Sequence, residues 1–311
     1  MTFRPLRLLI PAAFALCIAA PAGAQQLRGV IDVHAHSDPD NQPRRLDALD
    51  LAKQAQAEGM RAVVLKNHQM PTTQLAYLVN KLVPGFQTWG SIVLNRAVGG
   101  INPQAVEQQA TVVGKLLKVV FMPTVDAESA AARNAMPPRP YVAVAQNGTL
   151  LPETVQVLKL IAKYDLVLAT GHSQPADSLL LIREGRTLGV TRVVVTHAIN
   201  QGMTIPQMQE AAGHGAYIEF TGNPILPAGQ NGSPTVIPNP PNRKPEEWAA
   251  AIHAVGADHV VLAGDFGGTN FPPFFEGWKL YLAALKAAGV TDAEIDTMTR
   301  KNPAKVLGMG E

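Results

Sequence analysis

The runs Arg61-Ala62-Val63-Val64-Leu65-Lys66 and Thr191-Arg192-Val193-Val194-Val195-Thr196-His197 are apolar at successive positions rather than at alternate ones. A strand written this way is buried on both faces, as in a parallel sheet covered by helices. Comparable runs occur at 29–34, 90–95, 117–124, 166–171, 216–221 and 259–265, giving eight in all. Between them lie segments with helix signals at 46–58, 72–81, 103–115, 152–163, 176–188, 205–212, 245–254 and 275–288. Gly59, Gly189 and Gly289 stand where a left-handed residue ends a helix, and Thr291-Asp292-Ala293-Glu294 is a capping box opening a last one. Eight strand-helix alternations predict an α/β fold of the (β/α)8 TIM-barrel type, with an open doubly wound sheet as the alternative. Two long connections, 125–140 with Met136-Pro137-Pro138-Arg139-Pro140 and 222–244, each follow a strand. In a barrel both would lie over the mouth.

The first 24 residues read differently. Arg4 and Arg7 precede an apolar stretch from Leu8 to Ala20 and the small-residue pattern Ala22-Gly23-Ala24. This order predicts a secretory signal peptide over 1–24, cut before Gln25, and one mature domain over 25–311 in a periplasmic or secreted setting. The sole cysteine, Cys17, leaves with that segment, so disulfides, thiolate nucleophiles and cysteine-bound metals are excluded from the mature chain. The formal net charge of +2 counts Arg4 and Arg7. Without a basic stripe or a second apolar segment of about 18 residues, neither nucleic acid nor membrane is an expected partner. The expected partner is a small-molecule substrate, with a homo-oligomer left open.

Five of the eight histidines fall at the ends of strand runs: His34, His36, His68, His172 and His197. Asp265 ends the eighth run, and in a barrel all of these converge on one rim. In Ile31-Asp32-Val33-His34-Ala35-His36 the two imidazoles are at i and i+2, hence on one face, and both can aim at one ion. Alone, a His-x-His reads more simply as a solvated strand end. Here it is joined by Ala169-Thr170-Gly171-His172, Val195-Thr196-His197 and Ala263-Gly264-Asp265. Neutral imidazoles with a carboxylate suit a divalent first-row metal, zinc foremost, as one ion or two, with positions left for water.

These residues resemble the signature of the amidohydrolase superfamily of metal-dependent hydrolases, which places His-x-His on strand one, His on strands five and six, and Asp on strand eight. The likeness runs to the tail Asn302-Pro303-Ala304-Lys305-Val306-Leu307-Gly308, similar to that superfamily's closing segment. It implies metal ligation by His34, His36, His172, His197 and Asp265, and catalysis by Asp265 as proton acceptor with His197 ligating or polarising the substrate. The implied reaction is hydrolysis of an amide, ester, lactone or cyclic C–N bond by metal-activated water. A metal-dependent decarboxylase of the same superfamily and a catalytically silent periplasmic binding barrel are the alternatives. Within the superfamily the chain looks like a branch with Lys-x-His after strand two, here Lys66-Asn67-His68.

The fourth run ends Phe121-Met122-Pro123-Thr124-Val125-Asp126, without the Lys or Glu that bridges two metals in many relatives. Either the site holds one ion, or Lys66 or Asp126 supplies the bridge. Lys66, His68, Arg96 and Asp126 are expected to face the substrate, Lys66 also being open to a bridging or a purely structural role. Arg44 and Arg45 are weaker candidates for clamping an acidic group. His214, His253 and His259 are expected to be structural.

Overall fold

The computed structural model describes residues 26–129, 140–225 and 243–310. The leader 1–24 with Cys17, the run Met136 to Arg139 and most of 222–244 lie outside the described residues. Eight strands form one all-parallel sheet, each paired with its neighbour in chain order. They are β1 (Ile31–Ala35), β2 (Ala62–Leu65), β3 (Gln87–Val93), β4 (Leu117–Phe121), β5 (Val167–Ala169), β6 (Arg192–Val195), β7 (Tyr217–Thr221) and β8 (Val260–Ala263). Beyond the ladders, β8 meets β1: Asp265 N donates to His34 O at 2.9 Å, and His36 N donates to Phe266 O at 3.0 Å. The sheet thereby curls into the expected (β/α)8 barrel.

The helices that follow the strands in turn are α1 (Ala48–Ala57), α2 (Thr73–Leu82), α3 (Pro103–Thr111), α4 (Pro152–Lys163), α5 (Pro175–Thr187), α6 (Ile205–Gly213), α7 (Pro245–Val255) and α8 (Phe274–Ala287). Proline occupies the first turn of α3 to α7, where its missing N–H costs nothing. Asp47 caps α1 by accepting from Asp50 N at 2.8 Å. Thr291 opens α9 (Asp292–Asp296) with the reciprocal capping box.

Two apolar layers follow from the double-sided burial of the strands. One fills the space between sheet and helices. The other, inside the barrel, includes Ile31, Val33, Val64, Val119, Phe121, Val167, Val194 and Val261. A π-helical turn (Thr297–Lys301) leads into α10 (Asn302–Leu307), whose Ala304, Val306 and Leu307 join that inner layer. Asn302 anchors it, donating to Ala257 O at 2.8 Å and Val260 O at 2.7 Å. Since these carbonyls stand at the start of β8, the tail plugs the floor of the barrel and leaves the other end for chemistry.

Two details differ from the sequence reading. β3 runs over 87–93 rather than 90–95, because Asn95 turns its side chain to the neighbouring loops instead of extending the strand. A short hairpin, Ala145–Gln146 with Thr149–Leu150, precedes α4. Its turn, Asn147-Gly148, has φ of 51° and 74°, the type I′ geometry that Asn-Gly favours.

Candidate metal centre

The five strand-end histidines form a closed ring around the mouth. Centroid separations are 5.4 Å from His34 to His36, 5.0 Å to His68, 6.4 Å to His172, 5.3 Å to His197, and 4.9 Å back to His34. Asp265 reaches into it. Its Oδ1 is 3.1 Å from Nε2 of both His34 and His36, and its Oδ2 is 3.5 Å from His197 Nε2. Ligand atoms of His34, His197 and Asp265 all lie within 4.8 Å of one another, close enough to share one ion.

The local backbone explains how strand ends aim inward. His197 and Asp265 have φ of 51° and 53°, a left-handed conformation that costs a non-glycine residue about 1–2 kcal/mol. Both are held there: His197 N donates to Glu219 Oε2 at 3.2 Å, and Asp265 N to His34 O. Gly171 takes φ of 63° before His172, and a Cβ there would lie 2.2 Å from Met122 O. The ends of β5, β6 and β8 thus leave the sheet through the same backbone reversal.

Hydrogen-bond partners set the protonation of the rings. His34 is fully buried, and its Nδ1 sits 3.0 Å from Glu219 Oε1. Burial pushes the Glu219 carboxyl up, but the His34 imidazole beside it holds it below the ordinary range, so it accepts from His34 Nδ1–H. His34 Nε2 then meets two groups with opposite demands, Lys66 Nζ at 2.8 Å and Asp265 Oδ1 at 3.1 Å. Protonated, Nε2 faces an ammonium; unprotonated, its lone pair faces a carboxylate. A cation held between the nitrogen and the carboxylate satisfies both.

His197 is settled by a longer relay. Asn223 Nδ2 donates to Asp265 Oδ2 at 2.6 Å, so Asn223 Oδ1 is the end that accepts from the Thr221 hydroxyl at 3.0 Å. With its proton committed, Thr221 Oγ1 can only accept from His197 Nδ1, 3.1 Å away. His197 Nε2 is left as a lone pair directed at the Asp265 side. Burial pushes the His197 pKa down to about 4 and that of His36 well below its usual value, so both rings are neutral at neutral pH. His36 Nδ1 is buried without a hydrogen-bonding partner among the described residues. Asp265 is the reverse case: burial would raise its pKa, yet His34 and His197 hold it well below the carboxylate range. Neutral nitrogens with fixed lone pairs around an ionised carboxylate fit a divalent cation.

The other expected site residues are placed as follows. His172 is half-buried and stacks edge-on to His197 within the ring. Lys66 is 1 % exposed, 4.8 Å above the Phe121 ring, so it belongs to the interior of the cluster rather than to its open face. Burial lowers its pKa to about 8. His68 lines the ring through its contacts with His36 and His172, with Nδ1 2.8 Å from Thr124 Oγ1. Asp126 accepts from Arg96 N at 3.0 Å and so caps the short 3-10 turn after β3. The exposed Arg96 side chain borders a separate open cleft of about 460 Å³ with Tyr141, Val142 and Glu153, which no histidine lines. Arg44 is paired with Asp40 through Nε at 2.7 Å and Nη2 at 2.6 Å. Arg45 ties the loop after β1 to that after β8, donating to Phe271 O and Thr269 O. His214, His253 and His259 are exposed and away from the ring.

Several residues around the ring escaped the sequence reading. Glu219 is the clearest, a carboxylate in the middle of the apolar run Tyr217-Ile218-Glu219-Phe220-Thr221, and an isolated charge in a buried strand is itself a signal. Asp32, fully buried, accepts from His34 N, Gly264 N and Trp278 Nε1 and thereby pins β1 to β8. Desolvation raises its pKa to about 6 despite these donors. Asn223 lay in a long connection that offered no periodicity to place it.

Residues 29–219 match a family described as "Family of unknown function (DUF6282)". The matched span holds all five ring histidines, Lys66 and Glu219, and stops short of Asp265. No curated protein matches the chain. Among solved structures, the chain is similar to an organophosphorus hydrolase from Deinococcus radiodurans, with 14% identity, a TM-score of 0.57 and coverage of 93% of this chain and 94% of the other. It is also similar to a mutant of a PTE-like lactonase from Deinococcus radiodurans, with 15% identity, a TM-score of 0.56 and coverage of 93% and 98%. At such identities the likeness establishes the shared barrel fold.

Proposed function

The chain belongs to this family of unknown function, DUF6282, and from that premise we propose that it is an amidohydrolase-type, metal-dependent hydrolase acting on an ester or lactone bond of a small molecule. The observation that carries the reading is the convergence of His34, His197 and Asp265 within 4.8 Å, with the two imidazole rings oriented from behind by Glu219 and Thr221. The barrel shared with an organophosphorus hydrolase and a lactonase supports ester-like substrates over the wider set of amide and cyclic C–N bonds.

In this reading His34, His36, His197 and Asp265 hold the ion, zinc foremost, and His172 completes the set or takes a second ion. When bound, such a cation supplies Lewis-acid polarisation and acidifies water toward neutrality. Asp265, ionised and hydrogen-bonded by Asn223, takes a proton from the attacking water and passes it to the leaving alkoxide. Glu219 keeps the His34 ring from turning, and the floor plug keeps bulk water from entering behind the site. Export through the leader 1–24 to a periplasmic or secreted location is part of the same proposal.

The test is elemental analysis of protein recovered from the exporting cell, followed by a screen of aryl esters, lactones and organophosphotriesters with the metal found. Expected is one or two equivalents of a divalent metal and turnover abolished by chelation and restored by that metal. Protein that binds no divalent metal, or release of carbon dioxide in place of hydrolysis, overturns it.

A further inference from the structure

On the side of the ring opposite Asp265, hydrogen bonding sets His68 the other way round. Asn95 Oδ1 accepts two backbone N–H groups, from Thr124 at 2.8 Å and Asp126 at 3.2 Å, so the orientation of its amide is fixed. Its Nδ2 therefore donates, to His68 O at 2.9 Å and to Thr124 Oγ1 at 2.8 Å. Thr124 is fully buried. Among the described residues the sole acceptor within reach of its hydroxyl proton is His68 Nδ1 at 2.8 Å. Thr124 must donate there if no buried polar hydrogen is to be left unpaired. His68 Nδ1 is then the acceptor, and the ring proton sits on Nε2, which makes no hydrogen bond to any described residue.

Resting on the hydrolase reading above, we propose that His68 is a catalytic residue that presents a neutral Nε2–H to the oxygen of the substrate's carbonyl or phosphoryl group, and is not a metal ligand. A metal ligand needs a lone pair directed at the ion, as His197 has. His68 instead offers a donor, positioned 5.0 Å by ring centroid from His36 at the edge of the cluster. A preorganised donor in a site shielded from water stabilises charge that develops on oxygen as the bond is attacked. Asn95 and Thr124 are positioning residues: they touch no substrate and act by choosing the tautomer. Together they turn a residue type that suits metal binding into an oxyanion donor.

Long-range 1H–15N correlation spectra of 15N-histidine-labelled protein read this directly, first metal-free and then with zinc, and finally with phenylphosphonate as a tetrahedral oxyanion probe. Expected is an Nε2–H tautomer at His68 in the metal-free protein, unchanged by zinc and moved downfield at its Nε2–H by phenylphosphonate. Thr124→Val should release that tautomer preference, while Thr124→Ser should keep it. His68→Phe should weaken phenylphosphonate binding about 10-fold or more, and His68→Gln, which retains an N–H, by less, with zinc stoichiometry unaltered in both. An Nδ1–H tautomer, a zinc-induced change at His68 Nε2, or phenylphosphonate binding that leaves His68 untouched overturns the proposal. Failure to bind zinc sinks the hydrolase reading instead, and the tautomer in the metal-free protein is still read.

Discussion

The two flanks of the barrel mouth use the same parts to opposite ends. On the flank of β6 to β8, an asparagine turns its carbonyl oxygen to a threonine, and the threonine accepts from a histidine: Asn223, Thr221, His197. On the flank of β2 to β4, an asparagine turns its amide nitrogen to a threonine, and the threonine donates: Asn95, Thr124, His68. One flank exposes a lone pair, the other a proton. On the reading proposed above, what separates a metal ligand from a substrate donor is the orientation of an amide one residue removed, which in turn is set by Asp265 on one side and two backbone N–H groups on the other.

The contrast can be broken most sharply at Asp265. Asp265→Asn keeps one oxygen for the metal but cannot accept a proton, so zinc content should persist at least in part while turnover falls about 100-fold to 10,000-fold. Near-normal turnover in a zinc-loaded variant would move the proton acceptor elsewhere, His197 being next in line. Glu219→Gln removes the charge that holds His34 Nδ1–H, and zinc affinity should drop about 10-fold to 100-fold by competition with a chelating dye. The threonines form the paired test. Thr221→Val should weaken zinc about 10-fold, near the lower end of effects expected behind a metal ligand, whereas Thr124→Val should leave it unchanged. Equal effects of the two would erase the distinction between the flanks.

Proton linkage gives a smaller, graded effect. Burial and Lys66 push the His34 pKa down, but Asp265 and Glu219 push it up further, to about 9 in the metal-free protein. Zinc must displace that proton, so apparent affinity should rise about tenfold per pH unit from about 6.5 toward 9 and then level off. In the metal-free protein the sign is reversed for stability. The folded pKa lies above the unfolded value of 6.5, so the contribution of His34 is fully present below pH 6.5 and is lost as pH rises through 9. Thermal melts of the metal-free protein should shift downward across that window; a flat profile would place the proton on another group.

The barrel was legible because Val63-Val64-Leu65 and Val193-Val194-Val195 can only be buried on both faces, and because prolines and glycines mark the helix ends. The ring of histidines was legible for the same reason, since a strand end fixes which rim a side chain occupies. The supporting residues were less so. Glu219 carried a signal that periodicity arguments pass over, and the roles of Thr221, Thr124 and the two asparagines depend on which end of an amide faces which hydroxyl. Lys66 shows the limit most plainly: its position at the end of β2 suggested an open rim, while the structure folds it under the ring against His34 and Phe121.

The seam between β1 and β8 has a kinetic meaning. Gly264 and Asp32, joined across it, are 232 positions apart, and contacts of such separation bear a large loop-closure entropy, a cost that slows folding. Three of the four backbone groups that close the seam belong to His34, His36 and Asp265, and the fourth to Phe266. Closing the barrel and assembling the ligand set are therefore one event, and a chain that has stopped short of its native topology cannot present the complete set to a metal. On the proposed reading, an ion bound at this set would hold the β1–β8 seam closed.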